Sequence, residues 1–322
     1  MELIRNLHSS LKSLIAYNHI MNLNWFFFAL ISPFLWAFTN ILDSSIRRRY
    51  IRNDYFMMWT SAILRLPIFL LLLLIYGFEF PGWGVGIGMI LAGVLWTAMF
   101  VPYLRALEFE EPSRVALFLQ MISIFSLILA FIILGESLTV KQSIAFSVIF
   151  VGGLLAAIKY LENVWHFSRA FWLILIASLF WSVSDVLFKL FSYGFSSFIN
   201  AFSWFLFGSI SAGFFVLLVP NLRKNILTFK VNTVPIRGWT MQCISVLIGV
   251  IGSITFAYAL TLGKVALTSV LVQTQPLFVL ILTLILSRIF TDIDKEDISP
   301  TALLFKVLSF VIIMIGLILL NY

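Results

Sequence analysis

From Trp25 to the end of the chain, apolar runs near twenty residues long alternate with short polar breaks. The runs fall at about 25–42, 55–77, 84–104, 114–135, 141–158, 170–190, 198–219, 239–261, 265–287 and 301–320. A helix needs roughly 20 apolar residues to cross the hydrocarbon layer of a bilayer. Within lipid, only helices and closed barrels satisfy their own backbone groups. The pattern therefore predicts an all-α membrane protein with ten transmembrane helices. The breaks carry turn residues and charge: Arg47-Arg48-Arg49-Tyr50-Ile51-Arg52, Glu79-Phe80-Pro81-Gly82, Glu110-Glu111-Pro112, Gly135-Glu136 and the acidic stretch from Asp292 to Asp297. The weakest break, Leu262-Gly263-Lys264, implies a tight hairpin or a shifted boundary. Residues 1–24 are mixed in character and read as an amphipathic interfacial helix or a disordered lead. They lack the uninterrupted apolar core of a signal peptide.

Ten spans invite a search for duplication. Setting residue 32 on residue 177 matches Trp36 with Trp181, Thr39 with Ser184 and Asn40 with Asp185. A later alignment sets Tyr103, Leu107, Val115 and Gln120 on Tyr258, Leu262, Val270 and Gln275. Both matches occur in the same order, at corresponding spans of each half. They predict two five-helix repeats, at 25–160 and 168–322. Because five is odd, the second repeat must be inverted relative to the first. The basic residues agree: fifteen lie on the side of the loop that follows the first span, among them Arg47, Arg48, Arg49 and Arg52, and five lie on the other. The positive-inside rule then puts the arginine-rich loops in the cytoplasm and both termini outside.

Composition strengthens the membrane reading. Of 322 residues, 61% are hydrophobic and 11% charged, against roughly 45–50% and 25% in soluble domains. The net charge of +7 sits in short loops rather than on a soluble basic face, which excludes nucleic acid as a partner. The lone cysteine, Cys243, permits neither an internal disulfide nor a thiolate metal site. The histidines His8, His19 and His166 all lie outside the predicted spans, so no metal site and no cofactor is called for.

Several stretches resemble the EamA-type transporters of the drug/metabolite transporter superfamily. Phe34-Leu35-Trp36-Ala37-Phe38-Thr39-Asn40-Ile41-Leu42-Asp43 is similar to the start of an EamA repeat. Tyr103-Leu104-Arg105-Ala106-Leu107, then Glu111-Pro112-Ser113-Arg114-Val115, Gln120 and Leu134-Gly135-Glu136-Ser137-Leu138, resemble its signature across spans three to five. Tyr258-Ala259-Leu260, Ala266-Leu267-Thr268-Ser269-Val270 and Gln275-Pro276 continue the pattern in the second half. Met121 stands where the first repeat usually has proline, and the Gly-Glu pair has no counterpart near Arg288. Family members are usually drawn with cytoplasmic termini, contrary to the charge count. The resemblance implies a secondary transporter that moves a small metabolite or drug by alternating access, proton-coupled or by exchange.

An ionisable side chain inside a span costs roughly 2.5–3.5 kcal/mol on insertion scales, so each one asks for a reason. Arg65 in span two reads either as a cavity cation for a substrate carboxylate or phosphate, or as a structural partner. Asp185 and Lys189 stand four apart on one helix face and suit an intrahelical pair. Asp185 is alternatively a proton carrier, since a carboxyl group in an apolar cavity takes up a proton readily. Asp43 reads as interfacial. Gln120, Gln273 and Gln275 serve binding or helix packing, and Pro276 breaks a helix to free a carbonyl. Trp36, Trp96, Trp181, Tyr103, Tyr258 and Asn40 are pathway or packing residues. Gly152-Gly153 and Gly249 with Gly252 allow close helix approach, and Glu108, Glu110 and Glu111 with Arg105 and Arg114 read as a solvated cluster.

No nucleotide-binding loop supports a primary pump. An intramembrane enzyme needs a convergent catalytic set, and none is evident; a lipid flippase or non-transporting scaffold is the remaining alternative. The expected partners are a small-molecule substrate and the lipid bilayer, at the plasma (inner) membrane.

Overall fold

The computed structural model describes residues 24–109, 115, 118–156, 169–289 and 300–321. The N-terminal lead up to residue 23, the segment Glu110 to Arg114, Lys159, the three histidines and the acidic stretch 292–297 lie outside them. The described residues are helical and include no strand. In chain order the α-helices are α1 (Asn24–Arg49), α2 (Asp54–Leu64), α3 (Leu66–Tyr76), α4 (Trp83–Ala98), α5 (Phe100–Phe109), α6 (Met121–Leu129), α7 (Val140–Ala156), α8 (Arg169–Ser192), α9 (Phe198–Leu218), α10 (Pro220–Leu227), α11 (Ile236–Leu262), α12 (Val265–Leu271), α13 (Gln275–Ile289) and α14 (Pro300–Asn321). Seven helical stretches are long and apolar enough to cross a membrane, and Met121–Leu134, Val140–Leu154 and Val307–Leu320 are shorter apolar helices. The chain is an integral, multi-pass membrane protein.

The structure redraws some predicted boundaries. The cluster Arg47-Arg48-Arg49, expected in a loop, forms the last turn of α1, where cations complement the carbonyl end of the helix. At the weakest break, α11 ends at Leu262 and α12 begins at Val265, the tight connection anticipated there.

Prolines explain where helices break and where they do not. Pro67 follows Arg65, and Pro102 follows Met99; each lacks an N–H for the turn behind it, and α2/α3 and α4/α5 part at those points. Pro33 instead lies inside an unbroken α1. There the Ser32 hydroxyl donates to the Ala29 carbonyl at 3.1 Å, supplying the bond that Pro33 cannot make. Near Pro276 the chain tightens into a 3₁₀ turn, Val272–Thr274. The Gln275 N–H bonds the Val272 carbonyl, so the carbonyl expected to be freed already has a local donor.

Packing runs between the two halves rather than within each. Helix α1 lies against α11 and α13, α8 against α4, α5 and α6, α9 against α4, and α7 against α14. Where α4 crosses α9, Gly93 and Gly208 let the backbones meet: a Cβ on Gly93 would strike the Phe205 carbonyl oxygen, and one on Gly208 the Ile90 carbonyl. Outside the bundle, Glu79 receives the Ser196 N–H and hydroxyl and the Asn200 amide at 2.9, 2.6 and 2.7 Å. These donors hold its carboxyl below the usual range and pin the loop before α4 to the start of α9.

Candidate functional site

At the centre of the bundle three tryptophans meet. Trp36, Trp96 and Trp181 have ring centroids 4.8–5.6 Å apart, and Phe256 lies 5.1 Å from Trp36. Gly252 makes this possible, because a Cβ there would sit 2.8 Å from the Trp36 indole nitrogen. The indole N–H reaches the Gly249 carbonyl at 3.4 Å. The matched residues Trp36 and Trp181 therefore touch each other.

Beside this cluster is a cavity of about 60 Å³, lined by residues of α1, α2, α4, α5 and α11 and by Arg65 at the α2/α3 break. That volume accommodates a few waters. Its wall carries Trp36, Trp96 and Phe100, together with hydroxyl groups and two opposite charges, Arg65 and Asp43. The Arg65 Nη1 donates to Thr97 Oγ1 at 3.0 Å and to Ser209 Oγ, while the guanidinium lies 5.6 Å from the Phe100 ring centroid. Thr97 in turn donates to the Ser209 carbonyl at 3.0 Å, so the anchors of Arg65 are themselves tied together. Asp43 accepts the Ser245 hydroxyl at 2.6 Å. Among the described residues no ion pair joins Asp43 to Arg65, although both line one chamber. Asp43 is thus not the interfacial residue expected: α1 continues to Arg49 and carries it into the cavity wall.

A second, apolar pocket of about 10 Å³ shares Trp96 and Ser253 with the first and holds Asp185, lined otherwise by Phe188, Phe205, Phe256, Ala257 and Leu260. The Asp185 side chain is 3% exposed, and its Oδ2 has no hydrogen-bond partner. The predicted pair with Lys189 does not form. Lys189 turns to Glu136 Oε1, 2.6 Å away, and to the Gly263 carbonyl, while Glu136 Oε2 accepts the Val265 N–H at 2.8 Å. Glu136 thereby clamps the end of α8 to the start of α12. Near the C-terminal end of α1, Arg47 pairs with Asp54 and Glu108; Glu108 is solvent-exposed, as expected, and also joins this ion-pair network.

The remaining candidates divide. Asn40 donates to the Tyr103 hydroxyl at 3.2 Å. Gln273 donates to Ser123 at 2.6 Å and Gln275 to the Trp36 carbonyl at 3.3 Å, both joining helices. Gln120 is fully buried against Gly153, with both amide atoms unpartnered. Tyr258 packs on Phe28 and Phe198 at 4.8 and 5.0 Å, away from either pocket's lining.

Comparison with known proteins follows the same lines. The stretch 23–158 matches the EamA-like transporter family. These residues belong to that family. The EamA-like segment carries Trp36, Thr39, Asp43, Ser61, Arg65, Trp96 and Phe100, seven of the twelve residues of the cavity wall. A solved crystal structure 14% identical in sequence superposes with a TM-score of 0.65, covering 91% of this chain and 94% of that one. At that identity the likeness speaks for the fold alone. None of the curated proteins matches the chain.

Proposed function

We propose that the chain is a secondary transporter that carries a small metabolite through the Arg65–Asp43 cavity by alternating access between two inverted five-helix repeats, 25–160 and 168–322. The observation that carries this reading is the cavity itself. A buried cation and a half-buried anion, not paired with each other, face a chamber walled by both halves. Charges at membrane depth mark ion and substrate paths, and substrate sites of inverted-repeat transporters lie at the repeat interface. Helix packing supports the repeats. Exchanging the halves turns the α1–α11 contact into α8–α4 and α1–α13 into α8–α6, and it maps α7–α14 onto itself. The Trp36–Trp181 contact is what two matched residues make beside a pseudo-two-fold axis. The Glu136–Lys189 clamp and the Arg47 network are assigned to the two gates.

Asp185 is assigned the coupling proton. A charged carboxylate with one oxygen unpartnered in an apolar pocket costs several kcal/mol, and the pocket shares walls with the cavity. Uptake of a labelled metabolite panel into proteoliposomes, with and without an inward proton gradient, tests this. In Asp185→Asn the ratio of the two rates is expected to fall to about one, with exchange in the absence of a gradient retained. Unchanged proton-driven uptake in the variant removes Asp185 as carrier, and no protein-dependent flux of any panel member removes the transporter reading.

The charge asymmetry assigns the loop after α1 to the cytoplasm and both termini to the outside, in the plasma (inner) membrane. After Cys243→Ala, a cysteine placed at residue 2 is expected to react with an impermeant maleimide added to intact cells. Labelling only after lysis reverses the orientation.

A further inference from the structure

The segment that joins α9 to α11 concentrates positive charge and has no acid of its own. It carries Arg223, Lys224, Lys230 and Arg237, and no acidic residue occurs in the sequence between Asp185 and Asp292. Arg223, Lys224 and Lys230 are exposed, and among the described residues no carboxylate pairs with them. The segment is nonetheless docked firmly. Ile226 is buried, Phe229 stacks on Phe56 with ring centroids 4.2 Å apart, and the Asn53 amide donates to the Asn225 carbonyl at 2.8 Å. Because Asn53 follows Arg52, that bond sets the exposed Arg52 backbone alongside α10.

This docking decides which face of α10 stays outside. Ile226 turns inward, while Pro220, Arg223, Lys224 and Leu227, spaced i, i+3, i+4 and i+7, form one exposed face. A leucine between two cations suits neither bulk phase. Hydrocarbon would strip water from the cations, and water would have to hydrate the leucine. The ends of the two flanking spans show the same character: Leu218 and Ile236 are 75% and 81% exposed. The level that satisfies both kinds of side chain is the boundary between headgroups and acyl chains.

We propose that this face binds an anionic phospholipid, its headgroup held by Arg223, Lys224, Lys230 and Arg52 and its acyl chain lying on Leu227. Clustered cations beside a span attract such headgroups electrostatically. The apolar residues and the position at the ends of two spans select a lipid over a soluble acidic partner. The site lies apart from the central cavity, yet it reaches the arginine network. Asn53, bonded to α10, also caps α2 by accepting the Phe56 N–H at 3.0 Å, and α2 begins at Asp54, the partner of Arg47.

The test is thermal melting of the purified full chain in detergent, with short-chain phosphatidylglycerol or phosphatidylcholine added. Phosphatidylglycerol is expected to stabilise wild type, phosphatidylcholine to do so far less, and added salt to weaken the difference. Replacing Arg223, Lys224 and Lys230 together by glutamine should lower phosphatidylglycerol affinity at least about tenfold. The changed side chains are exposed, so the melting temperature without lipid should match wild type. Exchanging the same three residues for the other basic type (Arg223→Lys, Lys224→Arg, Lys230→Arg) should retain most of the binding. Leu227→Ser, which keeps every cation, should weaken it severalfold. Equal stabilisation by the two lipids, or unchanged affinity in the glutamine variant or in Leu227→Ser, would overturn the proposal. Equal stabilisation by glycerol phosphate or by polyglutamate would also overturn it, assigning the face to a free anion or to an acidic protein.

Discussion

Transport is expected to fall at least about thirtyfold when Arg65 is replaced by glutamine, measured as counterflow of the panel member that binds best. Removing one partner of a buried, hydrogen-bonded charge contact costs roughly 2–5 kcal/mol, and each 1.4 kcal/mol is a factor of ten. The bundle survives the change because its local bonds do not all run through the guanidinium. Thr97 donates to the Ser209 carbonyl at 3.0 Å, and the two hydroxyls lie 2.7 Å apart. Arg65→Lys should recover only part of the activity, since an ammonium group cannot hold two anchors and still offer a two-bond fork. Counterflow in Arg65→Gln within threefold of wild type, at equal melting temperature, would exclude Arg65 from the substrate path.

Much of the bundle was legible because lipid makes a blunt demand. A span must be long, apolar and internally bonded; ten runs from Trp25 onward were read in that way, and among the described residues seven helical stretches are long and apolar enough to cross a membrane. What stayed hidden depends on three-dimensional pairing. The four-residue spacing of Asp185 and Lys189 suggested an intrahelical pair, but the partner of Lys189 is Glu136, 53 residues away in sequence. Asp43 sat next to an arginine cluster that looked like a loop; only the continuation of α1 to Arg49 makes it a cavity residue. The helix breaks at Arg65 and Met99 had a readable signal in Pro67 and Pro102, two and three residues on. Arg65 was found by its cost alone, whereas its anchors Thr97 and Ser209 were not, because hydroxyl residues are common in membrane helices and carry no such flag. The matched tryptophans were visible as an alignment, and their mutual contact appears only once the halves are packed.

Gly93→Ala carries the largest expected effect on stability, and it acts on the site through the fold. A Cβ there falls on the Phe205 carbonyl oxygen and comes within 2.6 Å of the Ser209 nitrogen. Both are backbone atoms, which cannot rotate aside as a flexible side chain would, so α4 and α9 must part. Overpacking of this kind costs roughly 1–3 kcal/mol, and at about 2–4 °C per kcal/mol for a chain of this order the melting temperature should drop by about 2–12 °C. Gly84→Ala is the control, since nothing lies within 4 Å of its added carbon. Close approach at Gly93 and Gly208 also places Ser209 against Thr97, one turn along α4, and thereby fixes both anchors of Arg65. Parting the helices should release the guanidinium even in protein that remains folded. Gly93→Ala should therefore weaken transport by more than its stability loss explains. Its effect should also fail to add to that of Thr97→Ala, because either change removes the same support. Strict additivity of the two, or a melting temperature equal to that of Gly84→Ala, would show that the crossing does not hold the cation in place.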